Sequence, residues 1–177
     1  MPQKEMLPHF VYYFASSSDG FVADARGGVA WLDAYDDVDY GFSRFIKDID
    51  GVVMGRKAYE QALTFGEWGF KNTPCLVLSR TRSEGPHVEK FWSEPVSGLP
   101  AYLAAKGIRR VWMIGGGGAA AALLNAGLIS EIEQHVIPVV LGSGVHAYGE
   151  LEKSVSLKLT ETRAYKNGVV MLKYGLK

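Results

Sequence analysis

The chain has 177 residues, 47% of them hydrophobic and 21% charged, with 19 Lys plus Arg against 19 Asp plus Glu. That length buries roughly 70% of the unfolded surface, enough for a core without disulfides or metal, and the composition excludes a disordered segment. Zero net charge argues against a general nucleic-acid binder and provides no hold on an anionic membrane.

The opening MPQKEMLPHF has no apolar signal core, and no apolar run reaches the ~20 residues of a spanning helix, so a cytoplasmic location is expected. One domain over residues 1–177 is expected, with its core at about 8–175. His9–Ala15 is aromatic and β-branched, which predicts a strand, and Ser18-Asp19-Gly20 supplies the turn after it. Beyond Asp36-Asp37, Phe42, Phe45, Ile46 and Ile49 recur at i, i+3, i+4 and i+7, one apolar stripe of a helix. Gly51–Met54 reads as a buried parallel strand and Arg56–Leu63 as a short helix. Pro74–Leu78 is the next buried strand. Its Cys75, the one cysteine, reads as a small buried hydrophobe, and it excludes an internal disulfide or a Cys-rich zinc site.

Leu99–Lys106 is expected to be helical, with Gly107 as its C-terminal cap. Arg110–Ile114 is a strand that runs into Gly115–Gly118, and Ala119–Ala126 has the strongest helix propensity in the chain, closed by Gly127. The pattern then changes. Glu131–Val140 and Val155–Glu161 read as strands, the second alternating Val155, Leu157 and Leu159, and Asn167-Gly168 is a hairpin signal. Strand–helix units followed by an antiparallel ending predict an α/β fold with a mixed, mostly parallel sheet covered by helices on both faces.

Three strand ends carry residues suited to anions. Gly115–Gly118 would let a backbone approach a phosphate at a helix start, or would simply make a tight turn. A valine at Gly116 or Gly117 is therefore expected to leave a folded chain that no longer binds. Arg56-Lys57 opposes the dipole of the helix it begins, which suits a bound anion; the alternative is a solvated basic pair. Ser79-Arg80-Thr81-Arg82 offers a hydroxyl and two guanidinium forks. Ligands of open α/β sheets bind beyond the carboxyl ends of the strands, and NADPH, with a pyrophosphate and one further phosphate, would use all three sites.

In chain order, S-S-S-D-G-F-V-A-D, G-V-V-M-G-R-K-A-Y-E, L-V-L-S-R, V-W-M-I-G-G-G-G and H-V-I-P-V-V-L-G-S-G resemble the dihydrofolate reductase superfamily. The likeness is to the branch of the riboflavin-biosynthesis reductase domain and its stand-alone relatives, from about Phe10 to Tyr174. It implies that Gly55, Arg56 and Lys57 contact cofactor phosphates. It also implies that Ser79 and Arg80 hold the phosphate that distinguishes NADPH, and that Gly115, Gly116, Gly117 and Gly118 carry the pyrophosphate and nicotinamide side. Two positions depart from the pattern: Ala58 follows the basic pair where dihydrofolate reductases have Thr, and Val29-Ala30-Trp31-Leu32 replaces a Ser-x-Trp-Ile-Thr-like segment.

On the substrate side, hydride transfer to a C=N bond needs positioning and a proton. Asp39 stands 16 positions before Gly55 (55 − 39 = 16), a spacing similar to that of the substrate-binding acid in bacterial dihydrofolate reductases. It is expected to be catalytic, with helix capping as the alternative. Asp19 resembles a cleft-lining position and is the second catalytic candidate, or an Asx turn. Trp31 is the candidate stacking wall for substrate, or core. His135 reads as a core side chain, and no metal constellation is expected.

The function expected is an NADPH-dependent reductase of a pyrimidine- or pterin-like compound, most specifically 5-amino-6-(5-phosphoribosylamino)uracil. The alternatives are dihydrofolate reductase, a Rossmann dehydrogenase through Gly115-x-Gly117-x-x-Ala120, and a non-catalytic nucleotide-binding protein. The Rossmann reading places its fingerprint late, ahead of an antiparallel hairpin, where a first βαβ unit would carry it. Exposed C-terminal strands and the branch's habit imply a homodimer.

Overall fold

A computed structural model describes residues 7–176. In chain order the elements are β1 (His9–Ser17), β2 (Phe21–Ala23), a 3-10 turn (Ala30–Tyr35), α1 (Phe42–Phe45), β3 (Gly51–Gly55) and α2 (Arg56–Ala62). They continue with β4 (Cys75–Leu78), β5 (Lys90–Trp92), α3 (Leu99–Ala105), β6 (Arg110–Ile114), α4 (Gly117–Asn125), β7 (Ile129–Ile137), β8 (Val145–His146), β9 (Leu157–Ala164) and β10 (Val170–Leu176). The eight-stranded sheet has the order β5-β4-β3-β6-β1-β7-β10-β9. β5 through β7 in that order run parallel, and β10 and β9 are antiparallel. β2 and β8 form a separate small ladder.

Both faces of the sheet are covered, as the alternating pattern requires. On one face, Leu99 and Leu103 of α3 and Ala120, Leu123 and Leu124 of α4 pack with Phe10, Tyr12, Phe14 and Met113. On the other, Phe45 of α1 and Tyr59 of α2 pack with Val11, Val52, Met54 and Val77. Period-two alternation along β1 therefore sends Tyr12 into one layer and Tyr13 toward the other. The expected caps are present, with Gly107 at φ 77 and Gly127 at φ 67. The Asn167-Gly168 turn joins β9 to β10 through Tyr165 N–H to the Val169 carbonyl at 2.8 Å.

Four expectations need correcting. The helix with the Phe42–Ile49 stripe has only one α-turn, followed by a 3-10 turn at Ile46–Asp48, because Ile49 is already extended to enter β3. Phe42 consequently stays 41% exposed. Gly117 and Gly118 belong to α4, not to a loop before it. β7 spans Ile129–Ile137, starting before Glu131 and ending ahead of Pro138, short of Val140. The alternating β9 runs from Leu157 to Ala164 and is exposed along its whole length, because it is the sheet edge. β2, β5 and β8 are too short to leave a periodic signal. No helix among the described residues is long and apolar enough to cross a membrane.

Candidate functional site

Register brings three strand ends together. Gly55 pairs with Leu78, and Met54 with Ile114, so Gly55, Ser79 and Gly115 lie side by side at the carboxyl edge. Gly115 has φ +150, and a side chain on it would come within 3.3 Å of the Gly55 nitrogen. Only glycine allows β3 and β6 to end this close.

The side chains expected to hold phosphate divide by how they are engaged. Lys57 and Arg80 make no hydrogen bond or ion pair among the described residues, and both are exposed. Arg56 is bound to Glu60, with Nη1 at 2.9 Å from Oε1. The buried Ser79 hydroxyl accepts from the N–H groups of Thr81 at 3.3 Å and Arg82 at 2.8 Å, which shapes the turn carrying Arg80 and Arg82. Arg82 approaches Glu60 Oε1 at 3.5 Å.

The glycine run differs from the expected cradle. A Cβ on Gly116 would lie 2.7 Å from Val145 Cγ1, and one on Gly117 would lie 2.6 Å from the Gly149 nitrogen. Gly117 is required by the backbone of the strap of residues 145–149, whereas a side chain at Gly116 would meet only the end of the exposed Val145 side chain. A valine at Gly117 would therefore disrupt the fold instead of leaving a folded chain that merely fails to bind. Gly118 has nothing within 4 Å of the Cβ position. It is the member of the run whose missing side chain opens space for a ligand, at the start of α4 where N–H groups lack intrahelical acceptors.

Across β1 lies an aromatic and acidic cluster. Tyr13 stacks on Phe45 with centroids 4.3 Å apart and stands 5.0 Å from the His135 ring. Tyr40 lies 5.8 Å from the same ring and meets Tyr165 edge-on at 4.8 Å. Asn167 Nδ2 donates to the Tyr40 hydroxyl at 2.6 Å, and that hydroxyl donates to the Tyr35 carbonyl at 2.8 Å. His135 pairs in register with Ala15, near the edge where the parallel strands end.

His135 is the core side chain that the strand pattern implied, with one feature the sequence does not reveal. It is buried, but its Nε2 has no partner among the described residues, and Glu133 Oε1 is 3.9 Å away. Burial pulls its pKa down to about 4 from 6.5, with the hydrogen bond to the Tyr40 carbonyl acting in the opposite direction. The imidazole is therefore neutral at physiological pH. With its donor nitrogen on the Tyr40 carbonyl, Nε2 is left as a buried acceptor. Tyr13 is raised well above the ordinary phenol value by burial, with Glu133, Tyr165 and Asp39 adding to the effect, so its hydroxyl stays protonated.

Asp39 lies at this cluster, exposed, with Oδ1 accepting from Gly41 N–H at 2.9 Å and Ser43 N–H at 3.2 Å. It thus makes the capping contacts weighed for it. Hydrogen bonds from the Ser43 side chain and backbone hold its pKa below the usual carboxylate range, so it is an anion and an acceptor. Asp19 uses both oxygens on a loop, Leu141 N–H at 3.1 Å and Gly142 N–H at 2.7 Å. The Ser17 hydroxyl, then those two amides, lower its pKa to about 2. This is the geometry of a latch, and it is unsuited to donating a proton. Trp31 sits in the 3-10 turn, partly buried, with its indole Nε1 sealed from solvent and unpartnered among the described residues.

A cleft of about 540 Å³ lies elsewhere, where Pro74 and Cys75 enter β4, with Trp68, Phe70, His87 and Val88 in its wall. Ser79, at the other end of β4, is not part of it. Burial lifts the Cys75 thiol to about 12, so it supplies no nucleophile. No group of His, Cys, Asp or Glu among the described residues could hold a metal ion.

The model of the RibD C-terminal domain family matches residues 8–171. A solved structure of a protein from Shewanella sp. PV-4 assigned to riboflavin biosynthesis is 30% identical, with a TM-score of 0.87 over 96% of this chain and 99% of that one. A diaminohydroxyphosphoribosylaminopyrimidine deaminase/5-amino-6-(5-phosphoribosylamino)uracil reductase from Thermotoga maritima shares the fold at 16% identity, with a TM-score of 0.75 over 97% of this chain and 57% of that one. Dihydrofolate reductase from Enterococcus faecalis, complexed with NADP(H), also shares it at 16% identity, with a TM-score of 0.64 over 96% of each chain. The three-layer arrangement is thus dihydrofolate-reductase-like, as the motif order implied.

Proposed function

The chain belongs to the RibD C-terminal domain family, and we propose that it is an NADPH-dependent reductase of an aminopyrimidine, most specifically 5-amino-6-(5-phosphoribosylamino)uracil or a close analogue. The observation that carries this reading is the convergence of Gly55, Ser79 and Gly115 at one sheet edge, flanked by basic side chains, with the Tyr13–His135 cluster across β1. A dinucleotide with an extra phosphate fits the first half of that surface. Gly118 offers open space at the start of α4 for the pyrophosphate, and Lys57 and Arg80 have cationic groups unengaged among the described residues.

When bound, the cofactor supplies a hydride. The chain's own residues position and polarise. Gly55, Arg56 and Lys57 would hold phosphates at the end of β3, Ser79 would shape the turn that presents Arg80, and Gly115–Gly118 would line the backbone approach. On the substrate side, Asp39, held ionised, grips an N–H edge of the pyrimidine and favours its protonated, electrophilic form. His135 Nε2 offers a second acceptor beneath Tyr40. Asp19 keeps the Leu141–Gly142 loop in place at the rim. Trp31 remains the candidate wall for the substrate ring, in a segment tied to the cofactor side by Gln61 Nε2 donating to the Gly27 carbonyl at 2.6 Å. The reading also includes a cytoplasmic homodimer formed through β9.

The test is consumption of NADPH with the aminouracil phosphate, with dihydrofolate and with no substrate. Turnover with the aminouracil alone supports the reading. Turnover with dihydrofolate alone moves the protein to that reductase's chemistry, and turnover with neither refutes the substrate.

A further inference from the structure

Two guanidinium groups from separate strand ends meet on one carboxylate. Arg56 Nη1 donates to both oxygens of Glu60, at 2.9 and 3.1 Å. Arg82 Nη1, from 22 residues further along, approaches the same Oε1 at 3.5 Å. The i,i+4 pair on α2 would stand without Arg82. Arg82 is nonetheless fixed there. Its Nε donates to the Glu84 carbonyl at 3.0 Å, and its guanidinium carbon lies 5.0 Å from the Tyr59 ring centroid and 6.0 Å from that of Phe91. Tyr59 is fully buried and its hydroxyl donates to the Pro86 carbonyl at 3.0 Å, so the platform beneath Arg82 is rigid. Gly85 permits this packing, because a side chain on it would strike the Tyr59 hydroxyl and Arg82 Nη2.

Resting on the cofactor reading above, we infer that Arg82 joins Arg56 as a ligand of the extra phosphate, and that Glu60 is their resident counter-ion, which the phosphate must displace. Each guanidinium has five N–H donors, and Glu60 engages only one nitrogen of each. The side chains of Arg56, Arg82 and Glu60 are 40%, 34% and 39% exposed, so an anion can reach them from solvent. A phosphate dianion outcompetes a carboxylate monoanion for two convergent arginines, whereas a ribose hydroxyl does not. Glu60 therefore lowers the affinity for any phosphate while holding the two forks at the right separation. This contact makes discrimination between the two nicotinamide cofactors depend on charge.

The probes are 2′,5′-ADP, which carries the extra phosphate, and 5′-AMP, which lacks it. Both are titrated calorimetrically into the full chain, with thermal melts to confirm folding. Glu60→Gln is expected to tighten 2′,5′-ADP about three- to tenfold, the effect of one unit charge on a dianion ~6 Å away through water and salt, with 5′-AMP changed less than about twofold. Arg82→Ala is expected to weaken 2′,5′-ADP about tenfold or more, with Arg82→Lys recovering part of the loss because it keeps the charge without the fork. Unchanged or weaker 2′,5′-ADP binding in Glu60→Gln overturns the inference, as does wild-type affinity in both Arg82 variants. Wild-type protein that binds neither 2′,5′-ADP nor NADPH overturns the cofactor reading, and this inference with it.

Discussion

His135 makes stability depend on pH in a window set by its burial. In the folded chain its pKa lies at about 4, against an ordinary 6.5. Above 6.5 the imidazole is neutral in both states and contributes no pH dependence. As pH falls below 6.5 the unfolded chain takes up a proton that the fold refuses, so stability drops until about pH 4, where the folded state protonates as well. The gap of about 2.5 pH units (6.5 − 4) corresponds to about 3 kcal/mol at 1.36 kcal/mol per unit. The groups facing the imidazole are Glu133 at 3.9 Å, with Lys173 behind it at 3.2 Å, and the Tyr13 and Tyr40 rings. Carboxylates elsewhere also titrate in this window, so the comparison is between urea unfolding of the wild type and of His135→Gln, each from pH 7.5 to 4. The wild type is expected to lose about 3 kcal/mol more than the variant across that range. Parallel curves, or an imidazole NMR titration with its midpoint near 6.5, would refute the reasoning and remove the neutral acceptor from the substrate side.

The glycine run separates into two behaviours. Gly117→Val is expected to cost roughly 1–3 kcal/mol or more by forcing a side chain into the Gly149 backbone, read as a lower melting temperature. Gly118→Val is expected to melt no lower than wild type by more than a degree or two, because the space is open and a helical glycine is replaced, yet to bind NADPH at least tenfold more weakly; wild-type affinity contradicts the cradle. The exposed β9 edge, with Leu157 at 40% and Leu159 at 51% exposure, is expected to pair with a second copy. Light scattering at micromolar concentration should give twice 19.4 kDa, and a mass near 19.4 kDa refutes the dimer.

Much of the fold was legible because local signals agreed with the global arrangement. Arg110–Ile114 is legible at its observed bounds, since the four-residue apolar run Val111–Ile114, between Arg109-Arg110 and Gly115, admits little else. Helices α2 and α3 were found within a residue or two for the same reason, being bracketed by strand ends and glycine. What failed depended on partners distant in sequence. The need for Gly117 arises from the Tyr148–Gly149 backbone, a contact that no glycine count can reveal. Alternation places β9 two to three residues early, at Val155–Glu161, because it shows two unlike faces but not where pairing with β10 begins and ends. The site followed the same division. Strand-end glycines and basic pairs are contiguous motifs, and they were visible. The cluster of Tyr13, Tyr40, His135 and Tyr165 is assembled from four separate segments, and Arg82 is joined to Arg56 only by folding. The alternation of Tyr12 and Tyr13 was the one available hint that a tyrosine faces each layer.

The most direct test of the account is the cofactor preference of the binding edge, measured by fluorescence titration of NADPH and NADH into wild type and Arg80→Ala. Arg80 is exposed with no ion pair among the described residues, so its guanidinium can give a charge-assisted bond to the extra phosphate, worth about 1.5–3 kcal/mol, or roughly ten- to a hundredfold. The account predicts that wild type prefers NADPH by at least about tenfold and that Arg80→Ala weakens NADPH while NADH affinity stays unchanged, the remaining preference resting on Arg56 and Arg82. Equal affinity for the two cofactors in wild type, or equal losses for both in the variant, would contradict it.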